Sequence, residues 1–141
     1  MRLSVFIAKQ TSTQLLIDLQ KIYSDDLPKE ELSEQSVNEL INSPTTRLFM
    51  TMFNERHIGA VKVTVKNSQA SLSQLCIREI TRRRGIGKNL LREVQKQLVS
   101  EGIKEIQYNL TEVKDELQLI TQRFLMESGY HMKDNIAFKA L

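Results

Sequence analysis

The sequence predicts a single domain of mixed α/β class, on three observations. Stretches in which apolar residues alternate are interleaved with stretches in which they recur every three or four positions, no repeat or Pro/Gly/Ser-rich linker divides the chain, and 141 residues suit one core. An apolar fraction of 40% against 26% charged residues belongs to globular chains rather than disordered ones. One domain over residues 1–141 is therefore expected.

Each element follows from its pattern. Leu3, Val5 and Ile7 alternate, as in a half-buried first strand. From Thr11 to Tyr23 the spacing turns helical, with Leu15, Leu16, Leu19, Ile22 and Tyr23 on one stripe and Thr11 or Ser12 available as N-cap. Pro28 followed by Lys29, Glu30 and Glu31 marks a second helix start, with Val37, Leu40 and Ile41 as its buried side before Ser43-Pro44 ends it. Three runs, 48–53, 58–65 and 72–77, read as an antiparallel meander turning at Asn54-Glu55-Arg56 and at Lys66-Asn67-Ser68-Gln69. After Gly87 a helix runs to Ser100 on Leu90, Leu91, Val94 and Leu98, and Gly102 stops it. Ile106, Tyr108 and Leu110 form a further strand. Val113, Leu117, Ile120 and Phe124 mark another helix ending near Ser128-Gly129, and the tail from Tyr130 to Phe138 is expected to supply one or two edge strands.

Charge is distributed unevenly. The net charge is only +3, yet Arg78 to Arg92 holds Arg78, Arg82, Arg83, Arg84, Lys88 and Arg92 against one acid, Glu79. A nucleic-acid binder usually spreads its basic residues along a face and interleaves aromatics, and aromatic content here is 6%, so one compact anion is the better match. A single cysteine, Cys76, leaves no internal disulfide to form, and two separated histidines, His57 and His131, make no metal cluster. Cys76 is expected in the core and both histidines at the surface or core edge. No apolar run approaches the ~20 residues of a membrane span, and a cytoplasmic protein is expected.

The segment that carries chemistry runs from Leu75 to Lys88: a strand, then a basic loop with Gly85 and Gly87, then a helix. Unpaired N–H groups of a first helical turn, the helix dipole and glycines that let backbone approach closely together build a site for a phosphate or diphosphate. The arginines add charge-assisted hydrogen bonds, although three neighbours cannot all face one ligand. Other glycine-rich readings fail on spacing. A P-loop needs Ser or Thr where Asn89 follows Lys88, and a dinucleotide fingerprint needs a third glycine where Leu90 stands.

Arg82-Arg83-Arg84-Gly85-Ile86-Gly87 resembles the Q/R-x-x-G-x-G/A motif of the GNAT superfamily of N-acetyltransferases, at the same strand-to-helix junction. The resemblance implies acetyl-CoA (or CoA) as ligand. Thr81, Arg82, Arg83, Arg84, Gly85, Ile86, Gly87 and Lys88 would embrace its diphosphate, while Leu75, Cys76 and Ile77 would line the thioester arm. Three further blocks, around Ile17–Ile22, Phe53–Arg56 with Ala60–Thr64, and Arg78–Gly87, resemble a family of acetyl-CoA-dependent regulators of aspartate 1-decarboxylase (PanD). That resemblance implies a protein that binds PanD, promotes cleavage of its proenzyme to the pyruvoyl form and mediates feedback control of pantothenate and coenzyme A synthesis. Asn54, Arg56 and Arg78 are the expected partner contacts, and Met52 stands where the family's pattern has a basic residue.

Catalytic groups are sparse. Acetyl transfer needs a base for the amine and an acid for the leaving thiolate. The strand from Leu72 to Ile77 has no carboxylate, and Leu125 occupies the place where the superfamily's F-Y-x-x-x-G ending carries an acidic tyrosine. Tyr108 and Glu79 are the remaining candidates, and a packed aromatic and a loop acid are their more ordinary roles. A non-catalytic sensor is expected, with an active N-acetyltransferase as the alternative.

Overall fold

Two serines set where the chain's first helices begin. The computed structural model describes residues 3–24, 26–78 and 85–141. After strand β1 (Ser4–Ile7), Ser12 takes an extended backbone and its hydroxyl accepts from Leu15 N–H at 3.1 Å, which starts helix α1 (Thr13–Ile22). Ser33 does the same for helix α2 (Glu34–Ile41), accepting from Ser36 N–H at 3.2 Å. The cap divides what reads in the sequence as one helix. Pro28 leads only into a 3-10 turn, Lys29–Leu32, because the extended backbone at Ser33 breaks the helical run before α2 restarts it.

Strands β2 (Thr46–Phe53), β3 (Arg56–Lys66) and β4 (Gln69–Ile77) form the expected antiparallel meander. Helix α3 (Ile86–Ser100) crosses over to β5 (Glu105–Asn109), which pairs with β4 in parallel. A 3-10 turn at Leu110–Glu112, helix α4 (Asp115–Glu127), β6 (His131–Lys133) and β7 (Ile136–Ala140) complete the chain. Among the described residues the sheet has seven strands, in the order β1-β2-β3-β4-β5-β7-β6. The tail is therefore not all edge: β6 lies outermost, and β7 is interior because it pairs with β5 on one side and β6 on the other. The class is mixed α/β, as the patterning predicts.

Strand alternation sends side chains to two cores. Phe49, Val61, Val63 and Leu72 pack with Leu90, Leu91, Val94 and Leu98 of α3 and Leu125 of α4 on one face. Leu48, Met50, Ala60 and Cys76 pack with Leu15, Leu19 and Ile22 of α1 and Val37 of α2 on the other. Gly102 (φ 82°) and Gly129 (φ 94°) end α3 and α4 alike. In each case the next residue's N–H reaches back to the carbonyl five positions earlier, Ile103 to Leu98 and Tyr130 to Leu125, both at 3.0 Å.

Candidate functional site

Strand β4 has two unlike halves. From Gln69 to Leu72 it is flanked by β3 and by β5, whose parallel register ends at Leu72 opposite Tyr108. Beyond that rung β4 continues to Ile77 paired, among the described strands, with β3 alone, and β4 and β5 part. A bulge marks the change. Ala60 pairs with Cys76 but Lys62 pairs with Ser73, so Gln74 and Leu75 together face Val61, and Gln74 takes φ 52°. Two buried phenols hold this kink: Tyr23 donates to Gln74 C=O at 2.7 Å, and Tyr108 accepts from Leu75 N–H at 3.0 Å. Burial raises both hydroxyls, Tyr23 well above the usual tyrosine range and Tyr108 to about 12, so both stay protonated at neutral pH.

The pairing parity assigns the rest of β4. Arg78 N–H bonds Ile58 C=O at 2.8 Å and Cys76 stands opposite Ala60, so Cys76 turns its backbone toward β3, while Leu75 and Ile77 turn theirs toward the gap that β5 leaves. Cys76 itself is a core residue, 8% exposed, with its thiol against Ile22 C=O at 2.9 Å and the Asp26 carboxylate at 3.1 Å. Of the three residues expected on a thioester arm, Leu75 and Ile77 turn their backbone toward the gap. Cys76 faces α1 instead.

At the end of this gap α3 begins. Its N-cap is Gly85, at φ 74°, with no side-chain cap, and the first turn holds no acid. Three helices differ here: α1 and α2 are capped by serine, and α4 carries Asp115 and Glu116 in its first turn. The first intrahelical bond runs from Asn89 N–H to Gly85 C=O, leaving the N–H groups of Ile86, Gly87 and Lys88 without a helical acceptor. Lys88 is exposed beside them and forms no ion pair with a described residue. Ile86 contributes only backbone, since its side chain is 2% exposed. Gly87 serves packing as well: a Cβ there would lie 3.0 Å from the Phe124 ring and 3.9 Å from the Ile77 side chain. Thr81, Arg82, Arg83 and Arg84, with Glu79, lie outside the described residues.

A second constellation was not legible from the sequence. The carboxylate of Asp18, in the middle of α1, is wholly buried and gathers the far end of the β2–β3 hairpin. It accepts from His57 N–H at 3.1 Å and pairs with His57 Nδ1 at 2.8 Å, with Arg56 at 3.3 Å and with Gln14 at 2.8 Å. Burial alone would raise its pKa, and the hydrogen bonds from the His57 ring, the His57 backbone and Gln14 outweigh burial and hold it below the ordinary carboxylate value. His57, expected at the surface or core edge, is 7% exposed and is fixed there by this carboxylate. Asn54 (φ 51°) and Glu55 (φ 64°) form the turn above it and are exposed, as is Arg56. The Arg78–Ile58 bond brings the end of β4 beside this turn. The missed signal was a helical position: Asp18 falls on the same stripe as Leu15 and Ile22.

Residues 2–137 match the PanZ family, described as an acetyltransferase (GNAT) domain. The chain belongs to that family. PanZ relatives include a protein of Salmonella typhimurium strain LT2 named PanD regulatory factor, 43% identical over 94 residues that make up 67% of each chain. Another of the same name from Escherichia coli strain K12 is 38% identical over the same shares. The PanZ fold here is similar to the solution structure of YhhK from E. coli bound to coenzyme A, with a TM-score of 0.80 at 29% identity over all of both chains. It is also similar in fold to the PaiA N-acetyltransferase of Thermoplasma acidophilum in complex with coenzyme A, with a TM-score of 0.74 at 18% identity over 98% and 99% of the two chains.

Leu125 is fully buried in the core and cannot donate a proton. Among the described residues no group of three or more His, Cys, Asp and Glu is placed to hold a metal, and no helix is long and apolar enough to cross a membrane.

Proposed function

We propose that this PanZ-family chain is an acetyl-CoA-binding regulator of PanD, one that promotes cleavage of the PanD proenzyme to the pyruvoyl form and restrains the active enzyme when acetyl-CoA is plentiful. The observation that carries the reading is the junction of β4 and α3, where a strand freed from its neighbour runs toward a helix start left without serine cap or acid. The diphosphate is assigned to the N–H groups of Ile86, Gly87 and Lys88 and to the basic run Thr81–Arg84, and the thioester arm to Leu75 and Ile77. Asn54, Arg56 and Arg78 are assigned to the partner. Ligand and partner regions are neighbours, because Arg78 N–H bonds Ile58 C=O next to the anchored turn. Acetyl-CoA bound at the β4–α3 junction therefore supports PanD binding by forming part of the same surface, which is the differential contact that linkage requires.

Co-purification with PanD, with and without acetyl-CoA, while proenzyme cleavage is followed, tests the reading. Capture that depends on acetyl-CoA is expected. Sustained thiol release with simple amines in the absence of PanD would instead establish an N-acetyltransferase. Replacing Gly85 with Val, at φ 74°, should abolish acetyl-CoA binding while leaving the fold, since a Cβ there meets no atom of a described residue within 4 Å and only the local backbone is strained.

A further inference from the structure

The buried hydroxyl of Tyr108 accepts a hydrogen bond but donates none to a described residue. Its oxygen accepts from Leu75 N–H, and among the described residues no acceptor lies within reach of its own O–H. The other phenol at the bulge is the contrast, because Tyr23 gives its hydrogen to Gln74 C=O. Tyr108 is 4% exposed, so the unmatched donor is not answered by bulk solvent. Buried donors without acceptors are costly and rare, and one that persists at a strand gap points to a ligand atom that completes it. The place is specific: Tyr108 sits at the last rung of the parallel ladder, where β4 and β5 part, against the backbone of the first residue assigned to the thioester arm. The acids that help push its hydroxyl up, Glu112 and Asp26, do not accept its hydrogen.

We infer that the Tyr108 hydroxyl reads the acyl carbonyl of the bound thioester and so sets the preference for acetyl-CoA over free CoA. This rests on the proposed placement of the thioester arm along Leu75 and Ile77. A carbonyl oxygen is a full acceptor for a phenol, whereas the sulfur of a free thiol is a weak one. Leu75 N–H, by bonding the phenol oxygen, aims the O–H and polarises it further. A sensor that reports acetylation rather than total coenzyme A needs such a group, and no residue with that role was assigned from the sequence.

Calorimetry on the full chain with acetyl-CoA, reduced CoA and S-ethyl-CoA, a thioether of acetyl-CoA's length without its carbonyl, separates the possibilities. Wild-type protein should bind acetyl-CoA about three- to tenfold more tightly than either of the others, the range one net hydrogen bond supports. In Tyr108→Phe, which keeps the ring, that preference should fall to about one while CoA affinity is retained. A purely structural role for the hydroxyl would move all three affinities together. Equal affinity of the wild type for acetyl-CoA and S-ethyl-CoA, or an unchanged preference in Tyr108→Phe, overturns the inference and leaves coenzyme A binding standing. Should the variant bind nothing, the wild-type comparison of acetyl-CoA with S-ethyl-CoA decides. A wild type that binds none of the three overturns the placement on which the inference rests.

Discussion

Strand β3 ends in two hairpin turns that look alike in sequence and are held differently. Both lead with asparagine in the left-handed region, Asn54 at φ 51° and Asn67 at φ 57°, so the conformation by itself says nothing of function. Below Asn54 lies the Asp18 carboxylate, wholly buried, which ties Arg56 and His57 to α1. Near the other end, the charged contact is Arg47 with Glu101, at 2.6 Å for the longer of its two bonds and with side chains 27% and 30% exposed. Beside Asn67, Ser68 C=O merely accepts from Lys104 N–H at 2.8 Å and from Glu105 N–H at 3.3 Å. The difference teaches that one turn closes a hairpin while the other is made rigid from beneath, at a desolvation cost that a closing turn alone does not require.

The largest test removes the anchor. Asp18→Ala leaves His57 N–H, the His57 ring and Arg56 without their acceptor and should cost about 2–4 kcal/mol in urea unfolding. A loss under about 1 kcal/mol would make the two turns equivalent and break the comparison. The pH dependence has a definite sign: a carboxylate whose folded pKa is depressed contributes stability that is present above the unfolded value of about 3.9 and lost as pH falls through the folded value. Stability of the wild type should therefore fall more steeply than that of Asp18→Asn as pH is lowered from 5 toward 3, read as urea midpoints.

Next in size is the partner test. Asn54→Ala should weaken acetyl-CoA-dependent capture of PanD by about tenfold or more, as loss of a central interface contact does, and Asn67→Ala should leave it unchanged. Equal effects at both ends of β3 would remove the assignment of Asn54. A smaller effect is expected for Arg47→Ala. Its guanidinium, by hydrogen bonding, lowers the Glu101 pKa, but solvent screens the pair, and the cost should stay below about 1 kcal/mol. The smallest concerns strain. Glu55, a non-glycine at φ 64°, occupies the second position of a turn that favours Asn-Gly, and Glu55→Gly should stabilise by about 0.5 kcal/mol. A destabilised Glu55→Gly would mean that the Glu55 side chain, rather than the turn's backbone, holds the loop.

How much was legible depended on distance along the chain. The α3 stripe of Leu90, Leu91, Val94 and Leu98 and its stop at Gly102 were all readable, because a helix is specified by neighbours three to five residues away. The strand-to-helix junction was readable for the same reason, although the helix expected after Gly87 already begins at Ile86. The break at Ser33 was missed although it is local, since Pro28 and the acids after it give an equally good start signal. Gln74 gave no sign of a bulge. A two-residue step opposite Val61 exists only once β3 and β4 are in register. Asp18 and His57 lie 39 positions apart, and neither residue names the other.

By itself the sequence determined what local spacing can determine: the class, most of the elements, the glycine stops of α3 and α4, and the family to which these residues conform. Tertiary structure decided which carboxylate lies under which turn, that β7 rather than β6 is interior, and that the Tyr108 hydroxyl meets Leu75 N–H where two strands separate. Those outcomes depend on strand register and on which groups lose water together, and both are properties of pairs that only the folded chain brings into contact.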